Sequence, residues 1–283
     1  MQTIHQAAQR ISDHRKGDST YSIADALMSG VALFSLKDPS LLAFQDRRHD
    51  QNMKNIYHIE NVPSDTRMRE ILDPIDPDSL RPLFRDVFRS VQQSGILRQF
   101  AFHQGAYLLS LDGTEYYSSK KVHCPSCLQR QHANGQVTYY HQMLGAVLVH
   151  PDQRQVIPLA PEPIVKQDGE SKNDCERNAS KRLLEKIREE HPHLKLIVVE
   201  DGLASNAPHI RLLRKLYMHF ILGCKPDDHA YLMKQVDLAE SERRMEIMHW
   251  HDPQRNLWCE IHFMHNLALN QSNSNVVVNF LVR

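Results

Sequence analysis

Residues 107–117 read YLLSLDGTEYY, an apolar run that ends in a carboxylate, Asp112, followed by a glycine. Residues 194–202, LKLIVVEDG, repeat that grammar and end in Asp201 and Gly202. Each run has the length and apolar character of a buried strand. Open α/β sheets build their sites at the carboxyl ends of strands, and two acidic residues meeting there form a cradle for divalent cations. Taken singly, either Asp-Gly is what a tight turn after a strand requires. Delivered as a pair to one sheet edge, they are candidate metal ligands.

Outward from these runs, the periodicity predicts strands over AYLLSLD from Ala106, VTYYHQMLGAVLVH from Val137, and QVIPLAPEPI from Gln155 after the turn-forming Pro151-Asp152. A helix is expected over residues 171–190, with a charged face and an apolar stripe through Ala179, Leu183, Leu184 and Ile187. It leads into the second acidic strand, then a helix through IRLLRKL and a short strand, MHFILG. Three strands, helix, strand, helix, strand is the order of a ribonuclease-H-like core, whose fourth strand lies beside its first through a helical crossover.

Residues 1–104 form an N-terminal region that is helical from about Tyr21. Within it, NVPSDTRMREILDPIDPDSLRPLFRDVFRSV reads as two helices, the first capped by Ser64 or Asp65 and the second started by Asp76 or Asp78. The layout admits a helix-turn-helix reader of DNA ends or a plain packing unit. The core occupies residues 105–228. Residues 229–283 change texture to a charged segment and strand-like runs, LWCEIHFM and NVVVNFLV. An apolar strand needs a partner, so the sequence alone leads to the expectation that the chain is incomplete there.

The formal net charge of the 283 residues is zero and 41% are hydrophobic, which supplies a core and argues against a surface coated in basic charge. The N-terminus, MQTIHQAAQRISDHRKGDS, is too polar for a signal peptide, and no apolar run is long enough to cross a membrane. Five scattered cysteines do not form a secreted disulfide framework. The expected location is the cytoplasm, associated with the nucleoid, with no membrane partner.

Four stretches together, LLSLDGTEYYSSKKVHCPSC, TYYHQMLGAVLVHP, VIPLAPEPI and VVEDGLASNAPHI, resemble the DDE transposases of bacterial insertion sequences, over about Leu27 to Asp228. The resemblance implies a ribonuclease-H-like α/β fold whose mixed sheet carries Asp112 and Asp201 as catalytic residues and Mg²⁺ or Mn²⁺ ligands. It further implies hydrolysis at transposon ends, strand transfer into target DNA by the freed 3′ hydroxyl, and double-stranded DNA as partner, bound by a homodimer. In that family a catalytic glutamate lies on a helix beyond a strand-rich insertion. That signature is absent here: Lys234 and Leu238 stand where its arginine and glutamate would follow Tyr231. The expectation is a chain truncated inside a partial insertion. A stand-alone nuclease on the same fold would instead need Glu246 or Glu260 as its third carboxylate, and a DNA-binding remnant would need none.

Three further features bear on chemistry. Cys124 and Cys127, in HCPSC, supply half of a tetrahedral zinc site, with His132 as candidate third ligand and His123 or His141 as candidate fourth. The alternative is a loop with two ordinary thiols. Lys120, Lys121, Arg211, Arg214 and Lys215 flank the expected crevice and are candidate phosphate contacts, although a basic helix face is usually just solvated. Trp250, in the expected insertion, is a candidate for stacking on an extruded base; the alternative is a cross-strand core pair with Trp258.

Overall fold

The structure, a computed structural model, describes residues 1–16, 19–166, 176–253 and 256–283. In chain order the elements are α1 (Gln2–Ala8), α2 (Ile23–Leu36), α3 (Leu41–Gln45), α4 (Gln51–Tyr57), α5 (Asp65–Leu72), α6 (Arg81–Gln93), β1 (Ala101–His103), β2 (Ala106–Ser119), β3 (Leu128–Gln131), β4 (Val137–Val149), β5 (Ile157–Pro158), β6 (Glu162–Ile164), α7 (Glu176–Glu190), β7 (Leu196–Glu200), α8 (Ala207–Lys215), β8 (His219–Leu222), α9 (Ala230–Ser241), β9 (Glu246–Asp252), β10 (Leu257–Ala268) and β11 (Val277–Val282). This is a mixed α/β protein. It divides into two compact units, Met1–Gly105 with Gly145–Pro163, and Ala106–Leu144 with Ile164–Arg283.

In the first unit, Ser22 caps α2 by accepting a hydrogen bond from the Asp25 amide, and Lys37 closes the helix in the left-handed conformation. The apolar face of α2 then meets Phe44, Met53, Tyr57 and Ile59 through Met28 and Ala32. Ser64 caps α5 and Asp76 caps a short 3-10 turn over Pro77–Leu80, which runs into α6. Asp25 is buried, and its Oδ1 accepts from the Glu60 amide at 2.8 Å. Arg81 and Glu162, both buried, form an ion pair at 3.9 Å. The run 155–164, expected as one strand, is two short ones, β5 and β6. Pro158, Pro161 and Pro163 remove the amide donors that a continuous ladder needs.

In the second unit the sheet order is β3-β4-β2-β7-β8. β2 pairs parallel with β7, and β7 parallel with β8, whereas β3 and β4 are antiparallel. The strand after α7 therefore lies directly beside β2. α7 buries Ala179, Leu183, Leu184 and Ile187, the stripe that its sequence predicts. Each fully buried Leu or Ile contributes about 1.5–3 kcal/mol of transfer free energy. Residues 171–175, expected as the start of this helix, lie outside the described residues. β9, β10 and β11 form a separate three-stranded sheet with β10 central. Its Leu269 and Val276 flank pack on Ala207 and Ile210 of α8, and Leu267 packs on Leu232 and Val236 of α9.

Candidate active site

The parallel register of β2 and β7 runs Tyr107↔Leu196 to Ser110↔Val199. Continued by two residues, it sets Asp112 level with Asp201 on strands that neighbour each other at about 4.8 Å. Both aspartates line one cleft of about 240 Å³, together with Glu176 and Glu200. Arg177 and Lys181, from the first turns of α7, line it too.

Each carboxylate has a different degree of freedom. Asp112 is exposed. Asp201 Oδ1 accepts from the Leu203 amide at 2.9 Å and caps the 3-10 turn Gly202–Ala204. The turn chemistry of its Asp-Gly step thus coexists with its place in the cleft. Glu200 is committed: Oε1 accepts from Ser180 Oγ at 3.1 Å and Oε2 lies 2.5 Å from His209 Nε2, with both side chains buried. Glu176 Oε1 accepts from Gln142 Nε2 at 2.6 Å.

Two glycines make this packing feasible. A Cβ at Gly113 would meet Glu176 Oε1 at 2.1 Å and Gln142 Nε2 at 2.9 Å, so only glycine lets Glu176 fold over β2 at that point. A Cβ at Gly223 would meet the Gly202 nitrogen at 2.9 Å. The aliphatic stem of Lys225 covers Gly202, with Cγ 3.0 Å from the position a Cβ would take. Of the residues around this cleft, the sequence pointed to Asp112 and Asp201, and to Gly113 only as a turn residue, but not to Glu176 or Gly223. Asp112-Gly113, expected to end its strand, instead lies midway along β2, which continues to Ser119.

Glu246 and Glu260 do not reach the cleft. Glu260 lies 2.5 Å from His262 Nε2 and 3.7 Å from His249 Nδ1 on the β9–β10 hairpin, and Glu246 lies 3.8 Å from His265 Nε2. The acids that the fold brings to the aspartates are Glu176 and Glu200. No three carboxylates of the cleft converge within 4.8 Å of one another among the described residues.

The third candidate zinc ligand is corrected. His132 Nε2 is 2.8 Å from Thr138 Oγ1, across the β3–β4 turn. His141, on β4, takes its place: Nε2 is 3.3 Å from both Cys124 Sγ and Cys127 Sγ, and the sulfurs are 3.6 Å apart. His123 stacks on Tyr139 instead, with ring centroids 4.1 Å apart. Burial pushes the Cys127 thiol above its ordinary range, and burial followed by the two cysteines does the same to Tyr116.

Two of the candidate phosphate contacts are engaged within the chain. Arg211 donates to Asn273 Oδ1 at 2.8 Å and Asn275 Oδ1 at 3.1 Å, and Arg214 donates to the Val277 carbonyl. They fasten α8 to the C-terminal hairpin. Lys120, Lys121 and Lys215 are exposed. The tryptophans are not a cross-strand pair: Trp250 stands opposite Cys259 and Trp258 opposite His251. Both are exposed, at 47% and 77%.

No protein-family model matches the sequence, and no curated protein matches it either. Among solved structures, the chain is similar to a piggyBac transposase in a synaptic complex with hairpin DNA, determined by cryo-electron microscopy, at 15% identity and a TM-score of 0.37. The likeness covers 92% of this chain and 53% of that one, so the chain spans about half the length of that protein. At this level of similarity, the geometry of the cleft has to carry the functional reading.

Proposed function

We propose that the chain is a transposase polypeptide that cleaves DNA at the ends of a mobile element and transfers the freed strand to a target, working on double-stranded DNA as a homodimer in the cytoplasm. The observation that carries this reading is the placement of Asp112 and Asp201 level with each other on adjacent parallel strands, Asp201 just beyond the carboxyl end of β7 and Asp112 midway along β2, in one cleft. The strand order, with β7 added beside β2 after α7, is what a ribonuclease-H-like core requires. The cleft fits a hard divalent cation: its donors are carboxylate oxygens, Asp112 is exposed, and only Oδ1 of Asp201 is used by the turn. Mg²⁺ or Mn²⁺ bound there supplies positive charge to the attacking and leaving oxygens.

In the first step a water oxygen attacks the phosphorus at the element end, the bond from phosphorus to the 3′ oxygen breaks, and that oxygen leaves with a proton as a 3′ hydroxyl. In the second step this hydroxyl attacks a target phosphodiester, and the target's own 3′ oxygen is expelled. Asp112 and Asp201 would hold the cation, while Lys120, Lys121 and Lys215 are available to hold flanking phosphates. Trp250, exposed on its hairpin, is available to stack on an unpaired base.

A second reading, a stand-alone metal-dependent nuclease, is favoured by one specific observation: Glu176 supplies a third carboxylate within the same cleft. Strand transfer separates the two readings, because a nuclease stops after hydrolysis. The test common to both is nicking of supercoiled DNA in Mg²⁺ by the purified chain, beside Asp112→Asn and Asp201→Asn. Loss of a cation ligand at nearly constant shape is expected to slow nicking by about a thousandfold or more, with retention on DNA unchanged. Wild-type nicking in either variant overturns the assignment of these aspartates, and a wild-type chain that neither nicks nor binds Mn²⁺ leaves a non-catalytic DNA-binding protein.

A further inference from the structure

We propose that Cys124, Cys127 and His141 form a zinc site that pins the β2–β3 connection to β4, with solvent in the fourth coordination position. This site is separate from the acidic cleft and does not depend on its function.

The geometry is the argument. A tetrahedral Zn²⁺ with Zn–S of about 2.3 Å and Zn–N of about 2.0–2.1 Å sets its sulfurs about 3.8 Å apart and each sulfur about 3.5 Å from the nitrogen. The three ligand atoms here are separated by 3.6, 3.3 and 3.3 Å. They form the single group of three or more metal-ligating side chains found within 4.8 Å among the described residues. A disulfide is a different object, since its sulfurs are bonded at about 2.05 Å. A hydrogen-bonded relay, from Cys124 S–H to Cys127 Sγ and from Cys127 S–H to His141 Nε2, gives no reason for Cys124 Sγ to lie equally close, at 3.3 Å, to the same nitrogen.

The backbone and the rings around the site serve the same geometry. The Cys127 amide donates to the Cys124 carbonyl at 3.2 Å, closing the CPSC turn. The Cys124 amide donates to Cys127 Sγ at 3.3 Å, as amides do around metal thiolates. The rings of Tyr116, stacked at 5.9 Å, and Tyr117, at 5.7 Å, fix the plane of His141. His123, the remaining nearby donor, is turned away onto Tyr139. Cys124 is exposed, which leaves the fourth position open to water. The zinc thereby holds in place the loop that carries Lys120 and Lys121.

The test uses the full chain, purified without chelator, with metal content measured by mass spectrometry. Stoichiometric zinc is expected. Replacement by Co²⁺ should give the intense visible bands of a four-coordinate thiolate site. Cys127→Ser and His141→Ala should weaken Co²⁺ binding by at least about a hundredfold, beyond the range expected for an outer partner alone. His132→Ala should bind as wild type. His141→Cys, which restores a soft ligand, should bind Co²⁺ with a shifted spectrum, and this shift separates lost ligation from lost folding. Substoichiometric zinc and cobalt, a Cys124–Cys127 disulfide in the native protein, or metal lost in His132→Ala and kept in His141→Ala would each overturn the proposal.

Discussion

Replacing Gly223 by alanine probes the cleft without touching any of its carboxylates. The new Cβ would lie 2.9 Å from the Gly202 nitrogen and 3.2 Å from the Asp201 carbonyl carbon. Both are backbone atoms of the turn that aims Asp201, so no rotamer change relieves the contact. The Gly223 amide also donates to the Glu200 carbonyl at 3.0 Å, which prevents the two segments from simply drifting apart. Overpacking of this kind costs about 1–3 kcal/mol. At about 2 °C per kcal/mol for a chain of this size, the melting temperature should fall by about 2–6 °C. The larger effect should be on chemistry, because a displacement of about 1 Å in a reacting group costs on the order of a hundredfold in rate.

Thermal melting and Mg²⁺-dependent nicking of Gly223→Ala, measured side by side, check both magnitudes. Gly30→Ala is the control: its Cβ meets nothing nearer than Met68 Cε at 3.8 Å within α2, so it should be neutral or stabilising by up to about 1 kcal/mol. A Gly223→Ala chain that melts and nicks like wild type would show that the turn has slack and that Asp201 is not held by this contact.

Glu176→Gln should weaken Mn²⁺ binding at the cleft and slow nicking by at least about tenfold, or about 1.4 kcal/mol; Glu246→Gln and Glu260→Gln should match wild type, and the opposite ranking would move the third acid to the hairpin. Asp13, held at about 2 by the Arg15 guanidinium and amide, should titrate in NMR well below the ordinary value of 3.8. Because its folded value is depressed, the interaction stabilises the protein above pH 4 and is lost as pH falls through about 2; Arg15→Gln should return Asp13 toward 3.8, and an unmoved titration would refute the pairing.

What the sequence revealed followed from short-range patterns. The apolar runs before Asp112 and Asp201 had strand length, and the stripe on α7 had helical period, so the strands and the crossover helix were readable directly; Asp201-Gly202 does end β7, but β2 runs on through Asp112-Gly113 to Ser119. What it hid depended on pairing between distant segments. His132 looked like the better zinc ligand because it is near the cysteines in sequence, but β4 presents His141 to them instead. Arg211 and Arg214 looked like free basic residues because their partners, Asn273, Asn275 and Val277, lie far along the chain. Glu176 was hidden in a charged helix, where nothing local separates a cleft residue from a solvated one. The tryptophans, placed in a core by the alternative reading, stand opposite Cys259 and His251 on an exposed hairpin.

The zinc site and the acidic cleft meet at two consecutive residues of β4. His141 turns to Cys124 and Cys127, and Gln142, on the opposite face as strand alternation requires, donates to Glu176 at 2.6 Å. Whatever fixes His141 therefore fixes the segment from which Gln142 holds Glu176 over Gly113. Removing the zinc frees His141 without deleting any cleft residue, so its effect should reach the cleft through this strand alone. Chelation should raise amide exchange at residues 140–143 and weaken Mn²⁺ binding at the cleft. Gln142→Ala should weaken Mn²⁺ binding equally while leaving zinc content intact, and in the Gln142→Ala chain chelation should add little, since the link is already cut. Additive losses from chelation and Gln142→Ala would show that the two sites are independent and that β4 transmits nothing between them.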